Sequence, residues 1–116
     1  MITTGNIKEI SAFVPEKVKL TKDNPHFKQQ ELFIFEKTTG IKQIHYTNDS
    51  PHKMAIKAAG KLDLQDVGML IYVSQTETVV IPGRSNTIAH ELGLKCGTLD
   101  LLGACNGFIQ GFGTAC

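Results

Sequence analysis

The sequence has almost no charge imbalance: twelve basic against eleven acidic residues give a formal net charge of +1. Its lysines are dispersed, so it lacks the basic patch that nucleic-acid binding requires, and no nucleic-acid partner is expected. It also lacks any long apolar run. The longest uncharged stretch, Leu101 to Cys116, is too short to span a bilayer, so no membrane partner is expected. The opening Met1-Ile2-Thr3-Thr4-Gly5 has neither the basic nor the apolar region of a secretory signal, which points to the cytoplasm. Cysteine is scarce: Cys96, Cys105 and Cys116 form an odd set without tight spacing, which suits a reducing compartment better than a disulfide scaffold. No Cys-x-x-Cys or His-x-x-x-His accompanies them, so no metal site is expected, and the glycines form no dinucleotide or phosphate fingerprint, so no resident cofactor is expected. Repeats, low-complexity stretches and linkers are absent as well, and 1–116 reads as one continuous unit.

What is present alternates in kind along the chain. Ile7-Lys8-Glu9-Ile10-Ser11-Ala12-Phe13-Val14 reads as a strand of mixed faces, stopped at Pro15. Apolar Phe27, Leu32, Phe33 and Phe35 fall at roughly helical spacing between His26 and Lys37, and Thr39-Gly40 breaks that helix. Ser50-Pro51 opens a second helix, serine as cap and proline at the first helical position. Val67-Gly68-Met69-Leu70-Ile71-Tyr72-Val73 is almost wholly apolar and reads as a central strand covered on both faces. A helix over about Ser85 to Leu92 and a second buried strand over Cys96 to Leu101 follow. Strands alternating with helices make the fold α/β.

The C-terminal stretch carries chemistry. From Leu101 onward there is no charged residue, and Asn106, Gln110 and Thr114 recur every four residues, so a helix there has one thin polar stripe. Such a helix belongs between layers, and each large apolar side chain left uncovered forgoes roughly 1.5–3 kcal/mol. The expectation is the front portion of a larger protein. Gly103-x-x-x-Gly107-x-x-x-Gly111 is a ridge of small residues suited to close packing against a neighbour. Cys105 sits where the second buried strand turns into this helix. There, unpaired backbone N–H groups and the positive helix end favour negative charge on sulfur. The same N–H groups suit a developing oxyanion, and Gly103, Ala104 and Gly107 let a substrate approach closely. A buried, inert cysteine packing as a small hydrophobe is the plain alternative.

The segment Asp100 to Phe108 resembles the nucleophile region of ketoacyl synthase III, a thiolase-fold family, in its aspartate five residues before the cysteine of an Ala-Cys-small-Gly-Phe run. Asp100, Ala104, Cys105, Asn106, Gly107 and Phe108 stand in that arrangement. Thr39-Gly40-Ile41-Lys42-Gln43-Ile44-His45 is similar to the family's Thr-Gly-Ile-basic stretch near the substrate entrance. Val67 to Thr76, Ile81-Pro82 and Leu92-Gly93-Leu94 are similar to its core strand, pocket loop and next helix. The resemblance runs from about Ile10 to Cys116. It implies the N-terminal half of a thiolase-like layered α-β-α fold, apparently truncated, with 1–116 a partial domain and no second domain.

It further implies an acyltransferase in fatty-acid or related biosynthesis. Cys105 would be the nucleophile, its backbone N–H half of the oxyanion hole, with Ile81, Phe108 and Thr39 at the substrate. The implied partners are an acyl-coenzyme A thioester as substrate, acyl-carrier protein, and a second copy of the chain in a homodimer whose Ile81 loop lines the neighbour's acyl pocket. The family's arginine and tryptophan before the Thr-Gly-Ile block have no counterparts, Thr38 and Ile34 standing there. Nothing here corresponds to its catalytic histidine and asparagine, so the isolated chain is expected to be inactive in the full condensation. A non-catalytic remnant that dimerises or complements a second half is the alternative. A thiol-based redox protein fits less well, because no resolving cysteine lies near Cys105 in sequence.

The remaining candidates read more simply. His26, His45, His52 and His90 have no spacing that ties any of them to Cys105, and each reads as an ordinary surface or half-buried histidine. Asp100 reads as a carboxylate satisfying backbone donors or a neighbouring base, not as a catalytic acid. Gly83-Arg84-Ser85 reads as a turn and cap, with an anion site as the alternative.

Overall fold

The computed structural model describes residues 5–76 and 79–116. They fall into two compact units, one of Val14–Asp49 and one of the described residues up to Phe13 with those from Ser50 to Cys116.

In the smaller unit, β1 (Lys17–Leu20) pairs antiparallel with β2 (Gln43–Tyr46), Val18 opposite His45 and Leu20 opposite Gln43. Both strands are four residues long and fully exposed, which is why no periodic signal announced them. Between them runs α1 (Gln29–Thr39). It starts later than the periodicity suggests, because Phe27 N–H closes a turn onto the Asn24 carbonyl at 3.2 Å. Glu31 in its first turn accepts from the Lys28 N–H at 3.0 Å, compensating the positive helix end. It ends as the sequence implies: Gly40 takes the left-handed φ of 71° and donates to the Glu36 carbonyl at 2.9 Å. The centre of this unit is small. Thr21 is buried, its Oγ1 2.6 Å from Glu36 Oε1, and Phe27 packs on Phe35 with centroids 5.0 Å apart.

The larger unit is built on a β-α-β step. β3 (Met69–Ser74) and β4 (Gly97–Leu102) are parallel neighbours, Ile71 opposite Leu99 and Val73 opposite Leu101. α3 (Arg84–Glu91) joins them, α2 (Pro51–Ala59) packs on α3, and α4 (Gly107–Ala115) follows β4. Side chains alternate across the two strands, so Thr98 and Asp100 meet α3 whereas Ile71, Val73 and Leu101 meet α4. Helices therefore lie on both faces of the sheet, an α-β-α layering. α3 supplies the buried centre through Ser85, Ile88 and Ala89.

Three expectations are corrected. Ile7–Val14 is not a strand, because no other segment offers it a ladder among the described residues. Instead it is held on the α2 side by individual bonds, Ser11 Oγ to the Ala58 carbonyl at 2.8 Å, Lys61 Nζ to the Ala12 carbonyl at 2.9 Å and the Asp63 N–H to Glu9 at 2.9 Å. The strand expected at Val67–Val73 is found, but it is half-buried and not fully covered. The helix after Cys105 lies against the sheet as expected, yet it is not buried: only Gly107 and Gly111 are enclosed, while Phe108 and Ile109 are about 70% exposed.

Candidate active site

Cys105 stands in the turn between β4 and α4, exposed to solvent. The turn is tight because glycine permits it. The Gly107 N–H returns to the Ala104 carbonyl at 3.0 Å, and a side chain on Gly103 would lie 2.5 Å from the Gly107 Cα. The ridge of small residues then seats α4: a Cβ on Gly107 or Gly111 would come within 2.8 Å of the Val73 methyl groups. Val73 thus sits astride two glycines, and the close-packing reading of that ridge holds.

The N-terminus of α4 has no compensating group of its own. Asn106, its cap residue, makes no side-chain cap hydrogen bond, and the first turn holds no acidic residue. Cys105 lies immediately before it, so negative charge developing there meets the positive helix end. The N-terminus of α3 is the opposite case. Asp100 reaches from β4, and its Oδ1 accepts from the Ser85 N–H at 2.9 Å. Its Oδ2 lies against Gly83 where any side chain would collide. Asp100 satisfies a backbone donor, as its position suggested. It also occupies the place an external anion at Gly83-Arg84-Ser85 would take.

A pocket of about 50 Å³ opens beside Asp100, lined by Tyr72, Val79, Val80, Arg84, Leu101 and Leu102. Ile81 is not part of its lining and is 89% exposed. Phe108 stacks on Phe112, centroids 6.2 Å apart, over a shallow groove floored by Met69, Ile71, Val73 and Gly111. Thr39 belongs to the smaller unit, where its Oγ1 donates to the Phe35 carbonyl at 2.7 Å and accepts from the Ile41 N–H at 3.1 Å, shaping the exit of α1. Cys105 and Phe108 thus come from one stretch, Ile81 from the approach to α3, and Thr39 from the other unit.

His26, His45 and His90 are exposed and His52 is half-buried, its Nδ1 without a hydrogen-bond partner among the described residues. His45 Nδ1 is 2.7 Å from the Pro15 carbonyl, and His52 Nε2 is 3.4 Å from Ser50 Oγ. No group of three or more metal-ligating side chains occurs among the described residues. Among them, no helix is long and apolar enough to cross a membrane.

The chain is 32% identical over 122 aligned residues to a β-ketoacyl-[acyl-carrier-protein] synthase III of Staphylococcus aureus, an alignment covering 94% of this chain. The chain resembles the N-terminal portion of ketoacyl synthase III. Its fold matches the crystal structure of a synthase III of Thermus thermophilus with a TM-score of 0.75 at 24% identity, over 96% of this chain and 37% of that one. A 3-oxoacyl-(acyl-carrier-protein) synthase from Burkholderia xenovorans matches equally, TM-score 0.75 at 23% identity, over 91% and 34%. The chain spans 38% of the length of the Staphylococcus aureus relative. No protein-family model matches it. The thiolase-type α/β fold is thereby shown.

Proposed function

We propose that the chain is the acyl-accepting part of a condensing enzyme of the 3-oxoacyl-acyl-carrier-protein synthase III type. The observation that carries this reading is Cys105, exposed at the uncapped N-terminus of α4, in a chain matched over 94% of its length to such a synthase. In the first half-reaction the Cys105 sulfur attacks the carbonyl carbon of an acyl-coenzyme A thioester. A carbon–sulfur bond forms to Cys105, and coenzyme A leaves as the thiol after taking up a proton. The Cys105 N–H at the helix end holds half of the oxyanion in the tetrahedral intermediate. In the second, malonyl-acyl-carrier protein loses carbon dioxide, and the resulting carbanion attacks the acyl carbon and expels the Cys105 thiolate. No histidine or asparagine in 1–116 is assigned to that step.

The remaining roles belong to the same reading. Ile81 and Phe108 flank apolar surfaces suited to an acyl chain, Ile81 following the two valines of the pocket and Phe108 roofing the groove on β3. Thr39 stands at the entrance segment in the resemblance. Acyl-coenzyme A and acyl-carrier protein are the proposed partners, with the coenzyme as substrate and no resident cofactor. A homodimer is supported by the uncovered apolar side chains of α4, and the cytoplasm by three free thiols.

Limiting iodoacetamide on the folded chain, mapped by mass spectrometry, tests the nucleophile. Cys105 should be labelled first. Preferential labelling of Cys96 or Cys116 would remove the basis for the reading.

A further inference from the structure

Asp100 is the one acidic residue in a strand whose neighbours Leu99, Leu101 and Leu102 are apolar, and it is half-buried. A carboxylate in that position requires partners. It finds them in the first turn of α3, where Ser85 is 1% exposed and donates its N–H at 2.9 Å. Thr98, two residues earlier on the same face, donates its Oγ1 to Asn86 Oδ1 at 2.8 Å. Two successive inward positions of β4 therefore grip one helical turn. α3 carries no acidic residue in that turn, so the charge matching its dipole comes from the strand.

The grip joins two pieces that the acyl-transfer reading uses together. The Val79–Gly83 segment runs directly into the gripped turn and supplies Val79 and Val80 to the pocket. β4 runs directly into Gly103 and Cys105. We propose that Asp100 is a positioning residue: by clasping the first turn of α3 it holds the wall of the apolar pocket in register with the turn that carries Cys105. The proposal rests on the acyl-transfer reading and deepens it. Asp100 touches no reacting atom; it sets where an acyl chain lies when its carbonyl reaches the sulfur. Gly83 serves the same end, since any side chain there would displace the carboxylate.

The test compares two alkylating probes on the full chain, iodoacetamide, which needs no pocket, and a straight-chain N-decyl iodoacetamide, which does. For each, the rate at Cys105 is divided by the rate with a free thiol in solution. In the wild type the decyl probe should be favoured. D100A should lower the decyl-to-short ratio about tenfold or more, because small misplacements carry large rate costs, while leaving the short-probe rate within about twofold. D100N keeps an acceptor for the Ser85 N–H and should recover most of that ratio. If D100A fails to fold, the nearly isosteric D100N must still lower the ratio measurably. An unchanged ratio in the folded variants, or equal losses with both probes, would overturn the positioning role alone. A wild type in which Cys105 is not labelled ahead of Cys96 and Cys116 would overturn the acyl-transfer reading and this role with it.

Discussion

Two helices lie on opposite faces of the same pair of strands, and their N-termini are treated in opposite ways. The first turn of α3 is closed by a carboxylate delivered from β4, and its buried side chains include Ser85, Ile88 and Ala89. The first turn of α4 has no side-chain cap and follows an exposed cysteine, and the helix buries only Gly107 and Gly111. A positive helix end is a resource used once. Where the chain supplies its own anion the end is structural, and where it supplies none the end is free to meet charge that develops during a reaction. The packing follows the same division. α3 contributes volume to the centre of the unit, whereas α4 is set down on Val73 by the absence of side chains.

That contrast can be broken most severely at Ile88, which is 2% exposed. Ile88→Ala should cost about 2–5 kcal/mol in urea unfolding, since it empties the centre. The matching change on α4, Phe108→Ala at a side chain 70% exposed, should shift stability by no more than about 0.5 kcal/mol. A large loss there would mean that α4 is packed like α3.

The glycines sharpen the comparison. In an open helix, glycine to alanine is favourable by roughly 0.5–1 kcal/mol. At Gly111 the new methyl would lie 2.8 Å from a Val73 methyl. Overpacking of that kind costs about 1–3 kcal/mol, so the clash wins and Gly111→Ala should destabilise. Gly113 meets nothing within 4 Å, and Gly113→Ala should raise the unfolding midpoint by the helical gain alone. Equal effects at the two positions would refute the seating of α4 on Val73.

The smallest expected effect lies away from both helices. Asp63 accepts from the Gln65 N–H and pairs with Lys8 Nζ at 3.3 Å, and these hold its carboxyl below the usual carboxylate range. A folded-state value below the unfolded one contributes stability above the unfolded value, and that stability is lost as pH falls through the folded one. Asp63→Asn should therefore flatten the acid limb of the stability–pH curve, slightly lowering stability at neutral pH and leaving it unchanged once the wild-type carboxyl is protonated. The group is exposed, so the change will be small and salt-sensitive.

Local signals carried much of the fold. Gly40 announced the end of α1, Ser50-Pro51 the start of α2, and the apolar runs around Ile71 and Leu99 the parallel pair. Ile7–Val14 was misread because alternation specifies an extended backbone but not the neighbour that makes it a strand. β1 and β2 escaped notice because four exposed residues leave no burial pattern to detect. The place of Cys105 at a strand–helix junction was legible from the apolar run before it and the small residues around it. That Asp100 acts on Ser85 was only half legible, because spacing along β4 fixes which face Asp100 points to and not which helix lies there. The pocket wall at Val79 and Val80 depends on a loop path that composition does not encode.

The acyl-accepting role of Cys105 is tested most directly by intact-protein mass after incubation with an acyl-coenzyme A, in wild type and Cys105→Ala. One added acyl group, labile to hydroxylamine, mapped to Cys105 and missing from the variant, is the predicted result. No 3-oxoacyl product should form from this chain with malonyl-acyl-carrier protein above that control, because losing even one oxyanion donor costs about 2.7–4 kcal/mol elsewhere. A wild type that gains no acyl group, or gains it equally in the variant, would contradict the account.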